Sequence, residues 1–211
     1  MKNSFIIFTF CLLLQSCAGL NSYRFSKNTA SFGSNIYVES GFGASKFSND
    51  PLSLNEDTYS SIEEKVSIDA GIKLGNFILS GEYGYIYNDF EKQVYDPTVE
   101  GDYRVDEEFA ANSTFKRANI TRRYPSSSGQ DPSFYSFQIY YDFEIESTFR
   151  NLPKSVDQTI TGKGRGYQLN LNFPSIYVGF GQNWRDYDLS NGETFKMQEF
   201  YLHIGFVLLV I

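Results

Sequence analysis

Alternation with a period of two constrains this chain more than any other feature. Val66, Ile68, Ala70, Ile72 and Leu74 share one face, with Ser67, Asp69, Gly71 and Lys73 on the other. Phe77, Leu79, Tyr83, Tyr85 and Tyr87 alternate with Ser80, Glu82 and Gly84. Tyr135, Phe137, Ile139, Tyr141, Phe143 and Ile145 alternate with Ser136, Gln138, Tyr140, Asp142, Glu144 and Glu146. Tyr167 to Phe173, Ile176 to Gly181 and Glu199 to Val210 repeat the pattern. Side chains along a strand point to opposite faces in turn, so each stretch has one apolar and one polar face. Asn35 to Lys46 alternates more weakly, and Phe109 to Arg122 more weakly still, because Asn112 and Arg117 interrupt it. Counting both predicts eight strands, and no helical stripe competes with them beyond residue 33.

The connections sort by length. Gly75-Asn76 and Pro174-Ser175 read as tight turns, and Tyr124 to Ser133 as a longer one. Phe47 to Ser61 is long and polar, Phe90 to Glu108 is acidic and the longest, and Asn151 to Gln158 and Leu189 to Thr194 are shorter. Long and short connections in alternation fit an up-and-down barrel whose two rims face different compartments.

The N-terminus reads as an export leader. Lys2 precedes an apolar run from Phe5 to Leu14, too short to span a bilayer as a helix, and small residues follow. Leu14-Gln15-Ser16-Cys17 resembles a lipobox, which makes Cys17 a candidate lipidation site, while Ser16-Cys17-Ala18 also suits ordinary signal peptidase. The expected division is a signal peptide over 1–18, cut before Cys17 or after Ala18, a linker over 19–32 and the barrel over 33–211. The mature chain then keeps one Cys or none, so no internal disulfide is expected.

Alternation alone leaves open which face is wet, since a soluble barrel also alternates. Three features favour an apolar exterior. The polar face is rich in Gly, Ser, Asn and Gln, which suit a narrow lumen. Tyr83, Tyr85, Tyr87, Tyr135, Tyr167 and Phe173 gather toward strand ends, where aromatic rings suit a bilayer interface. The export signal comes first and the last strand runs to the C-terminal residue. That strand, Phe200 to Ile211, is similar to the C-terminal assembly signal of outer-membrane barrels, although it ends in Ile rather than an aromatic residue. Over residues 33–211 the chain resembles the small eight-stranded outer-membrane barrels of the OmpA and OmpX type.

The expectation is therefore an all-β, antiparallel, up-and-down transmembrane barrel of about eight strands with a cleaved N-terminal signal segment. Bilayer hydrocarbon cannot satisfy backbone amides, so the sheet must close, and eight strands enclose a lumen that side chains can fill. The resemblance implies a monomer in the bacterial outer membrane. Its partners would be membrane lipid, lipopolysaccharide and, through the last strand, the barrel-assembly machinery. The function expected is non-enzymatic, either structural or binding through surface loops. Three alternatives stand beside it: a narrow channel for small solutes, a lipid A-modifying barrel enzyme, and a soluble periplasmic barrel with an apolar ligand. A net charge of -7 disfavours nucleic acid, and a single His with two Cys leaves too few ligands for structural zinc. No cofactor is called for.

Residues predicted to form a lumen charge network are Asp69, Lys73, Glu82, Asp142, Glu144, Arg185, Glu199 and His203, with Glu146 facing the same way. Asp69 is expected near Glu82 across the Gly75-Asn76 turn. Two like charges there need a cation or a shared proton, and salt bridges to Lys73 and Arg185 are the simplest answer. His203 lacks the adjacent Ser and acid of a hydrolase. Gly162-Lys163-Gly164-Arg165-Gly166 has the look of a phosphate loop but lacks the Gly-Lys-Ser/Thr ending and a following helix, so a Gly-rich strand is expected. Lys116, Arg117, Arg122 and Arg123 form a basic cluster, with the last two near a periplasmic turn. The acidic side chains between 90 and 108 match no calcium-loop spacing and are expected to be solvated.

Overall fold

A computed structural model describes residues 30–48, 58–99, 103–125, 134–152, 158–173, 176–189, 192 and 194–210. The expected leader, Cys17, the first part of the linker and Ile211 lie outside the described residues. Eight strands close into one antiparallel barrel in chain order: β1 (Ala30–Ser48), β2 (Thr58–Leu74), β3 (Phe77–Tyr95), β4 (Tyr103–Pro125), β5 (Phe134–Arg150), β6 (Gln158–Asn172), β7 (Ile176–Asp188) and β8 (Thr194–Val210). The ring closes through the β1–β8 pair, so within it no strand keeps an unpaired edge. β1 begins at Ala30, inside the stretch read from sequence as linker.

The short turn between β2 and β3 helps set the register. Gly75 adopts φ 60°, the left-handed conformation a tight hairpin asks of its first central residue, and Arg123 N–H donates to Asn76 O at 2.7 Å, tying the turn to β4. Following hydrogen-bonded partners round the ring from Ser31 leads through Lys73, Ile78, Thr121, Gln138, Gln168, Gly181 and Tyr201 and back to β1 at Gly43, 12 residues on. A stagger of that size in eight strands requires a strand tilt of about 45°.

One sequence expectation is corrected here. The segment from Phe90 to Glu108 is not a long loop. β3 runs on to Tyr95 and β4 begins at Tyr103, and the two pair as far as Tyr95↔Tyr103 with one extra residue in β4. The connection itself is 96–102. There the Thr98 hydroxyl and N–H both donate to Asp96, and these bonds, ahead of the Arg104 charge, hold the Asp96 carboxyl below its ordinary range.

The alternation is real but changes meaning along the strands. In the half nearer the short turns, apolar side chains point outward: Leu74, Ile72, Ile68 and Val66 on β2, Phe137, Ile139 and Tyr141 on β5, and Phe200, Leu202 and Ile204 on β8 are all exposed. The nine residues from Val66 to Leu74, at ~3.3 Å each and tilted ~45°, cover roughly 20 Å along the barrel axis, close to the ~25 Å apolar band of a membrane barrel. Phe32, Phe77, Tyr124, Tyr135 and Phe173 ring its lower edge; Tyr83, Tyr85, Tyr141, Tyr167 and Trp184 ring its upper edge.

In the half nearer the long connections the facing reverses. Outward positions carry Lys46, Asp89, Glu91, Thr114, Lys163, Asp186 and Lys196, while the inside is a buried cluster of Phe47, Tyr59, Phe90, Phe109, Phe149, Tyr187 and Phe195 with their aliphatic neighbours. Phe47 stacks on Phe195 at 5.6 Å and Phe90 on Phe109 at 4.8 Å. The arrangement expected of a soluble barrel, apolar inside and polar outside, is thus found in this half alone.

Candidate functional site

The polar interior gathers the buried ionisable side chains of the described residues, most densely in the turn-side half. Five of them form one chain of contacts. Lys65 Nζ lies 3.2 Å from Glu39 Oε1 and 3.7 Å from Glu82 Oε1; Arg117 lies 3.9 Å from Glu82 Oε2 and grips Asp142 through two hydrogen bonds. The Arg117 guanidinium also sits 3.7 Å from the Tyr140 ring centre, a cation–π contact in a site closed to water.

Neutral donors complete the shell. Tyr177 OH donates to Glu39 at 2.7 Å, Ser67 and Asn119 donate to Glu82 at 2.7 and 3.1 Å, and Gln138 donates to Asn119 at 2.9 Å. Glu39, Lys65, Glu82 and Arg117 are each met from at least two strands, and Asp142 by the two-point grip of Arg117, as burial demands, since an unpartnered charge in such surroundings is costly. What space remains beside Glu39, Lys65 and Glu82 is a void of about 10 Å³, room for about one water molecule.

The residues named from sequence divide as follows. Asp69 and Glu82 are register partners, but they do not share a counter-charge. Asp69 accepts from Asn35 at 2.9 Å and Tyr37 at 3.3 Å, while Glu82 turns to the two cations. Asp142 belongs to the network through Arg117. Arg185 stands 3.5 Å from Glu63 on the loop side of it, and Glu199 is held by the hydroxyls of Ser45 and Ser61 and the amide of Asn183. His203 Nε2 bonds Asn170 at 2.8 Å and its ring lies between Tyr177 and Tyr201.

Lys73 is inward but forms no ion pair with a described residue; its charged neighbour is Arg123 at the turn rim. Glu144 is not in the lumen. β5 carries one extra residue between Asp142 and Ile145, so past that bulge the odd residues face inward. Glu144 and Glu146 therefore point outward, Glu144 pairs with the exposed Lys116 at 2.7 Å, and Ile145 joins the aromatic cluster.

Glu39, Glu63, Lys65 and Arg117 are the members the sequence reading left out of the network. Lys65 and Glu63 continue the inward frame of Ser67 and Asp69 toward the loops, so the same alternation carried two steps further points to them. The Gly-rich run resolves as a strand: Gly162, Gly164 and Gly166 face inward on β6, where a Cβ would collide with Tyr187 at Gly162 and Tyr140 at Gly166 and would be tight against Asp142 and Ile145 at Gly164, and Lys163 and Arg165 face outward.

The fold and this interior define a class: an eight-stranded up-and-down antiparallel barrel, apolar outside and polar within where it is banded. Among solved structures the chain is similar to Neisserial surface protein A (NspA), with 13% identity, 85% of this chain and 99% of that one covered, and a TM-score of 0.46. It is similar to Ail, the attachment invasion locus protein of Yersinia pestis, with 13% identity, coverage of 83% and 97%, and a TM-score of 0.42. The N-terminal β-barrel domain of Pseudomonas aeruginosa OprF matches at 13% identity, coverage of 83% and 98%, and a TM-score of 0.36. No family model matches the chain, and no curated protein sequence does. The register and facing of its own strands establish the architecture.

Proposed function

We propose that this chain is a non-enzymatic outer-membrane protein that holds a rigid, water-facing extension above the bilayer and meets its surroundings through the loops and the β3–β4 hairpin carried there. The observation that supports this reading is the reversal of facing midway along the strands. A band of outward apolar side chains suits lipid tails, and the polar exterior above it suits water. Strands of 13 to 23 residues exceed the ~9–11 that cross a membrane, so a few residues of β7 and about half of β4 are left for the extension. Among the described residues the hairpin reaches furthest. β3 last pairs with β2 at Glu91↔Ser60 and β4 with β5 at Ala110↔Arg150, and beyond those points the two strands pair with each other.

The interior argues for support over transport. The charge network blocks the banded half, and the aromatic cluster fills the half above it. The closed ring suits a monomer, and the ungapped β8 suits recognition by an assembly machinery. Lipidation of Cys17 would add a second hold on the membrane.

The test combines three measurements on the full chain: membrane fractionation, the gel shift between unheated and boiled samples, and planar-bilayer conductance. Recovery in detergent-extracted membranes with a heat-sensitive shift and a closed trace is expected. Recovery in the soluble periplasm overturns the membrane reading, and steady unitary currents overturn the plugged lumen in favour of a channel. Intact mass of the mature chain decides between acylated Cys17 and a start at Gly19.

A further inference from the structure

We infer that the outward face of β6, at Arg165 and Lys163, is a binding site for the phosphate of an anionic lipid in the leaflet on the loop side. The inference rests on the membrane reading above and adds a specific contact to it. On this strand Tyr167, Leu169 and Leu171 belong to the apolar band, and Arg165 is the first charge above them, with Lys163 two residues further. That is the height at which lipid headgroups lie.

Arg165 is placed for such a ligand. Its register partners are Tyr141 on β5 and Trp184 on β7, both on the upper aromatic girdle, and the Tyr167 and Trp184 rings lie 6.1 Å apart beside it. Both Arg165 and Lys163 are exposed, and neither has an ion pair with a described residue. The neighbouring carboxylates are accounted for. Glu144 is taken by Lys116, and Asp186, the register partner of Lys163, makes no ion pair with it. A planar guanidinium suits phosphate oxygens in a two-point contact, and the adjacent Lys adds a second, movable charge.

The position is asymmetric around the barrel. At the corresponding level β2 carries Glu64, which repels anionic headgroups, so the basic sector on β6 selects one side of an acidic protein. The inward glycines between these cations supply the reason they sit so close together. Gly162, Gly164 and Gly166 make room for lumen side chains, and strand alternation then fixes both basic residues on the lipid side.

Trp184 is the sole tryptophan of the chain and stands beside the site, so it reports on the lipid next to Arg165. The full chain is reconstituted in phosphatidylcholine vesicles containing acyl-brominated phosphatidylcholine or acyl-brominated phosphatidic acid, and quenching of Trp184 is compared. The expected result is a preference for phosphatidic acid of about fivefold or more. It should fall toward unity in the Arg165→Gln, Lys163→Gln double variant, rise in Asp186→Asn, and persist with inorganic phosphate in the buffer. Equal quenching by the two lipids in the parent protein overturns the site while leaving the membrane reading intact. So does a preference unmoved by the double variant, or one abolished by inorganic phosphate. Failure of both lipids to quench Trp184 overturns the membrane reading itself. Both substituted residues are exposed, and the heat-sensitive gel shift verifies that each variant has folded.

Discussion

Arg117 and Asp142 are register partners on β4 and β5, and Asp142 is the last inward residue of β5 before its bulge turns the strand over. One step toward the loops, the next pair, Lys116 and Glu144, lies on the outer surface. The bulge thus separates a buried salt bridge from an exposed one, and the two differ in worth. With side chains 3% and 1% exposed, Arg117 and Asp142 have little water to fall back on. Arg117→Met strands Asp142 and leaves Glu82 with Lys65 as its one cation, and is expected to cost about 3–5 kcal/mol in urea unfolding of the lipid-reconstituted barrel. Adding Asp142→Leu should return part of that loss. Lys116→Met, acting on an exposed pair, should cost no more than about 1 kcal/mol.

The aromatic cluster carries the extension's stability. Phe109 contacts Phe47, Tyr59, Phe90 and Phe149 and is 1% exposed, so Phe109→Ala is expected to cost about 3–5 kcal/mol. Tyr95, at the hairpin tip and 61% exposed, should tolerate Ala within about 0.5 kcal/mol. The temperature at which the fast-migrating gel form is lost measures both. Equal losses would mean that the cluster is not the core of the upper half.

The same reversal explains what could be read in advance. The stretches 66–74, 167–173 and 200–204 were legible because their two faces differ in chemistry and their sense is constant. Phe109 and Phe115 obscured β4 because they are apolar and inward, opposite in sense to Ile120. At β5 the letters misled. Phe143 and Ile145 keep a perfect period in sequence, yet one unpaired residue between them and the ladder sends them to opposite faces. A bulge leaves no mark in hydrophobic periodicity, so Glu144 was placed inside. Arg117 was hidden beside Lys116, two cations of which only one faces in. Partners such as Ser45 and Ser61 on Glu199 depend on strands far apart in sequence, and no local pattern announces them.

If the turn-side half is the part in lipid, position along a strand should set the cost of a charge. On β2, Ile68 lies mid-band and Thr58 lies at the loop end, both outward. Ile68→Arg is expected to cost about 2–4 kcal/mol and Thr58→Arg about 0–1 kcal/mol, read as folding yield into phosphatidylcholine bilayers against urea. Equal costs would place the lipid boundary elsewhere.

The inward glycines of β6 make the sharpest packing test. A Cβ on Gly166 would run into the Tyr140 hydroxyl and the Gln182 carbonyl, neither of which can retreat, because Tyr140 is pinned between Arg117 and Tyr201. Gly81 offers the contrast: it faces outward on β3, and the nearest atom to a Cβ there is Arg117 O at 4.0 Å. Gly166→Ala is therefore expected to cost about 1–3 kcal/mol through overpacking, while Gly81→Ala should be neutral or stabilising by up to about 1 kcal/mol, since a strand glycine is entropically poor. Urea unfolding of the two variants beside the parent decides it. A neutral Gly166→Ala would mean that the lumen has slack around Tyr140, and the ordered Tyr140–Arg117–Asp142 stack would then have to be redrawn.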